Sequence, residues 1–457
     1  MKKNIAEILK KIDKDHYSLL IDIGNVSKEL GLRSYLVGGM VRDLLLSSNN
    51  LDIDIVVEDH AKDSPAKRLA DGLVRKSSNY ELSAKHDRFH TAKVIFNVNG
   101  KKIPIDLAST REENYKESAG LPDITLTNLK NDLKRRDFTI NALAVSLMPD
   151  DFGEVEDFFN GLEDLELKKI NIVPNEGRLQ NNTFIEDPTR MIRAVRFACK
   201  LGFKIEENTW KLLKETMDSG VFDNLIEKIR GDRVKIEIRY LFNLSNVEEA
   251  VKEFFESGIY RMVSTELNSR SDAINRVTIG NDMPNQWLIY LAIVMKDLNP
   301  GMQEQIMKNL QMPGDEIKVI RSGFNVLNKL NGNSSINPML VYRELKNLSM
   351  ESIVMVKMLS VIARSETTKQ SQNREEVNEI ALDSRPRNDM NELALLIDEY
   401  LSKTSKIKLE ITGQDLINIG VQEGKKIGEI LDKVLEMKIK NPNMSKQDEE
   451  REVKNLI

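Results

Sequence analysis

Up to about residue 180 the apolar positions fall in short runs bounded by Gly, Asn or Asp, interleaved with stretches of helical spacing. The runs SYLVGG (from Ser34), LDIDIVVE (from Leu51), TAKVIFNV (from Thr91) and KKIPIDLA (from Lys101) predict strands. MVRDLLL (from Met40) and AKRLADGLVRKS (from Ala66) predict helices, and RRDFTINALAVSL (from Arg135) predicts a further helix or a turn into one. This pattern describes an α/β or α+β head on a small sheet. From about Phe184 the strand signals nearly vanish. Apolar residues then recur at helical spacing in Asp187–Phe203, Glu207–Met217, Asp232–Phe242 and Asn246–Gly258, and again in Asn285–Met295, Gly314–Leu330, Asn337–Leu345 and Glu351–Ala363. An all-helical arm is expected. The polar stretch Arg364–Met390 reads as a mobile connection, and Asn391–Ile457 as a small helical tail.

Composition narrows the class. A chain of 457 residues is too long for one core and suggests about two to four domains. Cys199 is the single cysteine, which excludes an internal disulfide and a Cys-based metal site and points to the reducing cytosol. The charged, amphipathic N-terminus lacks a signal-peptide core, and no apolar run approaches the ~20 residues of a membrane span. The net charge of −5 argues against a generally basic nucleic-acid coat, though not against a local basic groove.

The second run, Leu51–Glu58, carries two carboxylates. In a strand, Asp52 and Asp54 project to one face while Ile53 and Ile55 point to the other. Two carboxylates on one face repel unless a cation sits between them. A divalent ion on oxygen ligands answers this, and Mg²⁺ suits phosphate chemistry. Two such ions can activate an attacking oxygen and stabilise a leaving one. A solvated strand face is the alternative, but Asp is disfavoured in strands. Upstream, Gly38 and Gly39 lie between a strand and a helix, where glycine lets backbone N–H groups approach an anion. By themselves the two glycines read more readily as a tight turn. Neither a Walker loop nor a dinucleotide fingerprint is present.

LVGGMVRDLLL followed by LDIDIVV resembles the head motif of class II tRNA nucleotidyltransferases and bacterial poly(A) polymerases, within the DNA polymerase beta-like nucleotidyltransferase superfamily. RRDFTINALA (from Arg135) is similar to the second motif of that family, and EDPTRMIRAVRFACKLGF (from Glu186) to its nucleotide-selecting helix. HDRFHTAKVIF and IDLASTREENY also fit the head, and the matches run in family order over roughly Tyr35 to Leu241. The resemblance implies a nucleotidyltransferase-fold head, a small mixed sheet with flanking helices, over residues 1–180. An elongated all-α neck (181–265), body (266–385) and tRNA-contacting tail (386–457) follow. It implies Asp52 and Asp54 as catalytic Mg²⁺ ligands, and tRNA, CTP and ATP as partners and substrates. Gly38, Gly39 and Arg42 join the nucleotide-binding set. Arg136 and Asp137 would contact the incoming sugar or phosphates, with Asn141 orienting them.

Asp187 and Arg190, three apart, share a helix face. A carboxylate accepts hydrogen bonds and a guanidinium donates them. Cytosine and adenine each carry an exocyclic amine beside a ring-nitrogen acceptor, so this pair matches both. Uracil and guanine would turn a carbonyl toward the carboxylate with no proton between them. On the residues alone, Asp187-Pro188 reads more readily as a helix start and Asp187–Arg190 as a surface ion pair. The resemblance assigns the base-reading role. Arg193 and Arg196 continue the spacing and would hold triphosphate or base, or else make structural salt bridges.

Other candidates carry less. Asp106 would be a third acidic group near the metal or, as its place in IPIDLA suggests more readily, an ordinary polar edge residue. Asp232 and Arg233 fall where the family places an acidic-Arg pair in its neck. That acid is more often Glu, which leaves their bracing role in doubt. His86 and His90 read as structural. In the tail, Gly420 and Gly424 suggest a turn before a helix opening with Lys425 and Lys426. This is either a plain hairpin or, by resemblance, a grip on the tRNA elbow. The expected activity is addition of C and A residues to the tRNA 3′ end in the cytoplasm, with the arm as a ruler along the acceptor stem. The alternatives are an A-adding or CC-adding enzyme, a poly(A) polymerase, and a non-enzymatic RNA-binding scaffold with an inactive head.

Overall fold

The computed structural model describes residues 3–48, 52–59, 64–114, 123–174, 182–228, 231–267, 283, 285–333, 335–375, 389–422 and 424–457. They form two compact units: residues 1–229 with 253–265, and residues 230–252 with 266–457.

The first unit is built on a seven-stranded sheet of order β3-β4-β5-β2-β1-β8-β9. Its strands are β1 (Arg33–Val37), β2 (Ile53–Glu58), β3 (Tyr80–His86), β4 (Thr91–Val98), β5 (Lys101–Ser109), β8 (Leu143–Ser146) and β9 (Val155–Asp157). A separate hairpin pairs β6 (Arg111–Asn114) with β7 (Asp123–Leu126), and short strands β10 (Lys169–Ile170) and β11 (Lys204–Ile205) run parallel. Only β2 and β5 pair in parallel within the large sheet, which makes it mixed. Burial alternates along β4 and β5, with Ala92, Val94 and Phe96 buried in the first and Ile103, Ile105 and Leu107 in the second. The helix Pro65–Lys76 covers the buried face of β2, β3, β4 and β5 and packs on the helix Lys14–Glu29. Around β1, β2 and β8, Tyr35, Val37, Val56, Leu129, Leu133, Ala142, Ala144 and Val173 form one core cluster.

Two expectations need correction here. The segment from Arg135 is not a helix: it makes a 3-10 turn at Thr139–Asn141 and then enters β8. Its apolar run Leu143–Ser146 is buried throughout, as a strand inside a sheet requires, and a short apolar run has no period to separate it from a helix. Asp106 is not an edge residue, because β5 lies between β4 and β2.

The second unit is helical. Helix Gln286–Met295 is buried at every position, the expected fate of a continuous apolar run of that length in a helical core. Among the described residues no helix is long and apolar enough to cross a membrane. The helix from Met350 continues to Glu375, into the stretch expected to be a polar connection. Residues 376–388 of that stretch lie outside the described residues. In the tail, Gly424 (φ 132°) precedes helix Lys425–Lys440, so the glycine turn and the helix start at Lys425 are as expected. Capping boxes at Thr412/Asp415 and Ser445/Asp448 start the two neighbouring helices.

Candidate active site

The sheet places the carboxylates first. Asp52 immediately precedes β2, and both it and Asp54 are exposed while Ile53 and Ile55 are buried. In the parallel pairing of β2 with β5, Asp54 stands opposite Asp106, so the two carboxylates share a sheet face. Lys93, on β4, reaches Asp106 at 3.3 Å. The surrounding protein, and then the Asp106 charge, push the Asp54 carboxyl above its ordinary value, while Arg136 pulls it back. Gly38 (φ 75°) closes on the same point. A Cβ there would lie 3.4 Å from Asp54 Oδ2 and 3.7 Å from Arg136 Nη1. Those distances are ordinary contacts, so the positive φ is what calls for a glycine. Gly39 opens the helix that follows, Gly39–Leu45.

Arg136 is oriented from behind. The carboxylate of Asp132 is fully enclosed and accepts from Arg136 Nη2 at 3.2 Å and from Arg135 Nη2 at 2.8 Å. Burial would raise this carboxyl, but the two guanidiniums outweigh it and hold it low. Arg135 also meets Glu113 at 2.9 Å. Sequence reading missed Asp132, although its spacing of three and four to the two arginines on one helical turn was the available signal.

The 3-10 turn then aims Asp137 and Asn141. Asp137 accepts from Arg193 Nε at 2.7 Å and Nη2 at 2.6 Å, and from Asn141 Nδ2 at 3.0 Å. Burial alone would raise Asp137, but Arg193 and Asn141 prevail and its carboxyl lies below the ordinary value. Asn141 Oδ1 accepts from Arg42 Nη1 at 2.7 Å, and Arg42 also donates to Asp43 at 2.7 Å. Arg42 is buried, and these bonds place it in the interior as a brace for Asn141. Thr139 is pinned by Asp164 at 2.6 Å.

The third element is helix Thr189–Leu201. Asp187 Oδ1 accepts from the Thr189 N–H at 3.1 Å and from its hydroxyl at 2.6 Å, so Asp187 does serve the helix start. Arg190 is buried and donates to Thr183 Oγ1 at 2.7 Å and to the Arg135 carbonyl at 2.6 Å, using two of its five N–H groups. Asp187 therefore lies just before the helix rather than on its face, and Arg190 lies in its first turn, each held by its own partners. Arg193 and Arg196 both lie over the Phe197 ring, at 5.2 and 4.3 Å from its centre.

Three sets of candidates sit elsewhere. Asp232 and Arg233 open a helix of the second unit, Asp232–Phe242, where the Asp232 carboxylate accepts from the Arg233 N–H. His86 ends β3 and His90 lies in the turn after it. Gly420, Gly424, Lys425 and Lys426 are in the tail.

A mixed-sheet head bearing this carboxylate strand, continued by helices, defines a nucleotidyltransferase-type protein. Residues 34–171 match the poly A polymerase head domain, residues 202–270 the probable RNA and SrmB-binding site of polymerase A, and residues 284–448 the putative tRNA nucleotidyltransferase domain 2. The A-adding tRNA nucleotidyltransferase of Geobacter sulfurreducens is 30% identical over 95% of this chain and 46% of its own length. The chain spans half or less of the A-adding relatives it matches. A solved CCA-adding enzyme, apo form II, superposes with a TM-score of 0.75 at 27% identity, covering 100% of this chain and 99% of the other. The Thermotoga maritima CCA-adding enzyme in complex with tRNA gives 0.73 at 25% identity, covering 100% and 99%. The chain belongs to the class II tRNA nucleotidyltransferase family.

Proposed function

We propose that this protein adds C and A residues to the 3′ end of tRNA from CTP and ATP, with release of pyrophosphate. One observation carries the reading. Arg190 is bonded to the Arg135 carbonyl, and the next residue, Arg136, stands against Gly38 and Asp54. The group that would read the base and the carboxylates that would serve the chemistry are therefore held by consecutive residues.

The donor set fits a hard divalent cation. Asp52 and Asp54 offer oxygen ligands, and the crowding of Asp54 by Asp106 is the kind of repulsion a cation relieves. Bound there, Mg²⁺ would favour ionisation of the primer 3′-hydroxyl and offset charge on the triphosphate. The chain's own residues do the rest. Gly38 leaves room for the triphosphate beside Asp54, and Arg136, steadied by Asp132, faces its charge. Asp137 and Asn141 present the sugar-binding turn. Asp187 accepts from the exocyclic amine of C or A while Arg190 donates to the ring nitrogen. In-line attack on the α-phosphate follows from this positioning and charge stabilisation.

A second reading, addition of A alone, is favoured by the Geobacter sulfurreducens relative, whose similarity spans nearly the whole of this chain. One experiment decides both. The protein is incubated with tRNAs ending before each of the three terminal nucleotides, with one nucleoside triphosphate at a time. C addition to the two shorter ends and A addition to the longest supports full CCA synthesis. A addition alone supports the second reading, and no addition to any end removes both.

A further inference from the structure

Three guanidiniums converge on one buried ring. Arg42, Arg193 and Arg196 lie 5.0, 5.2 and 4.3 Å from the centre of Phe197. The Phe197 side chain is enclosed, and Phe138 meets it edge-on with centroids 5.9 Å apart. The three cations come from two places in the chain. Arg193 and Arg196 share the helix Thr189–Leu201 with Arg190, whereas Arg42 belongs to the helix behind the glycine pair. Phe138 lies in the turn segment that carries Asp137 and Asn141.

Like charges gathered this closely repel unless something holds them. Asp43 pairs with Arg42 and Asp137 with Arg193. Those pairs hold two of the three guanidiniums, and the negative faces of an aromatic ring attract cations this close to its centre. A guanidinium held over a ring keeps N–H groups for oxygen acceptors. A leucine at position 197 would fill similar space and supply no such face. The ring therefore has a job beyond packing.

We propose that Phe197 is a specificity-positioning residue, whose ring registers the base-reading helix against the glycine-pair helix and the Asp137–Asn141 turn. The inference rests on the proposed function, because it assigns Phe197 to the selectivity of that site. Phe197 acts through others: its ring sets Arg193 and Arg196, Arg193 holds Asp137, and the same helix carries Arg190 one and two turns upstream. Loss of the ring's electrostatics lets the helix slide relative to the turn. The Asp187–Arg190 pair then meets C, A and U with less distinction.

Fluorinated phenylalanines at Phe197 test this without emptying the core. One, two and three ring fluorines weaken the negative face stepwise and barely change the shape. The full chain is assayed for selectivity, the kcat/KM for the preferred nucleotide over that for UTP, with KM for tRNA measured alongside. Selectivity is expected to fall in step with fluorine number, reaching about tenfold for the trifluoro ring, with KM for tRNA unchanged. Phe197→Leu should match the trifluoro protein and Phe197→Tyr should stay near wild type. Selectivity that stays flat across a folded fluorine series overturns the inference and leaves the proposed function standing. A wild-type protein that adds no nucleotide, or adds all four alike, overturns both.

Discussion

Arg190 donates a 2.6 Å hydrogen bond to the carbonyl of Arg135. Helix Thr189–Leu201 is thereby tied to the backbone of the RRDFTIN segment, one residue before the guanidinium beside Asp54. With Thr183 holding the other branch, Arg190 has little freedom to swing. Arg190→Ala should lower the preference for CTP or ATP over UTP by about 10- to 100-fold, the worth of one good base contact pair. Arg190→Lys should not restore it, since an ammonium lacks the fork that reaches both anchors. Competition between labelled CTP and UTP measures the ratio. A wild-type ratio in a folded Arg190→Ala protein would disprove base selection by this residue.

Asp52→Ala and Asp54→Ala should each cut nucleotide incorporation by at least about 10³-fold, the scale expected when a preorganised charge centre is lost. Binding of tRNA should be largely kept. For Asp54 a second outcome separates chemistry from structure. Its carboxyl is pushed up by the surrounding protein and then by the Asp106 charge, so ionised Asp54 is not a stabilising group. Asp54→Asn should leave the melting temperature at neutral pH unchanged or higher while activity falls. Turnover retained in either alanine variant would refute the metal-ligand assignment.

The carboxylate strand was legible because Asp in an apolar run violates local preference, and such violations mark sites. Asp187 and Arg190 were singled out through the family resemblance; helical spacing alone did not suffice, and Asp187 lies before the helix, which starts at Thr189. Asp106 was harder: its value depends on β5 pairing with β2, a long-range parallel register that no local pattern encodes. The strand at Leu143–Ser146 was read as helical because four buried residues carry no periodicity. Phe197 carried no signal of its own in the sequence, because Arg42 reaches its ring from more than a hundred residues away. Asp132 could have been found, since its arginine partners are its own helical neighbours.

Asp137 gives a pH prediction. Its folded carboxyl lies below the ordinary value of 3.8, with Arg193 and Asn141 overcoming burial. A lowered acid stabilises the fold above its unfolded pKa, and that contribution is lost as pH falls through the folded value. Asp137→Asn should therefore cost about 3 kcal/mol at pH 6, the scale for a broken buried pair. The gap to wild type should narrow steadily below about pH 4 as the wild-type carboxyl takes up its proton. Urea unfolding followed by circular dichroism at pH 6, 4 and 3 tests it. A gap of constant size across that range would show that the Asp137 charge contributes nothing.

The tail rests on a buried charge of its own. Glu449 is fully enclosed. Its Oε2 accepts from the N–H groups of Glu410 at 2.8 Å and Ile411 at 2.9 Å, and its Oε1 pairs with Lys438. Lys438 also reaches Glu410 at 3.1 Å. Around these lie Ile411, Leu416, Val421, Ile430, Val434 and Val453, so the carboxylate has an apolar setting. Removing the cation leaves a charge in that setting, which costs more than the pair gained by forming. Lys438→Met should destabilise the tail by about 3–5 kcal/mol. Adding Glu449→Gln should recover part of this, because the amide oxygen still accepts a backbone N–H and carries no charge. Hydrogen exchange separates the tail from the head: amides of Lys425–Lys440 and Lys446–Leu456 should exchange faster in Lys438→Met, while those of β2 and β5 stay as in wild type. Equal protection of the tail helices in the single variant would mean that the caps and apolar contacts suffice, with the buried pair adding no stability.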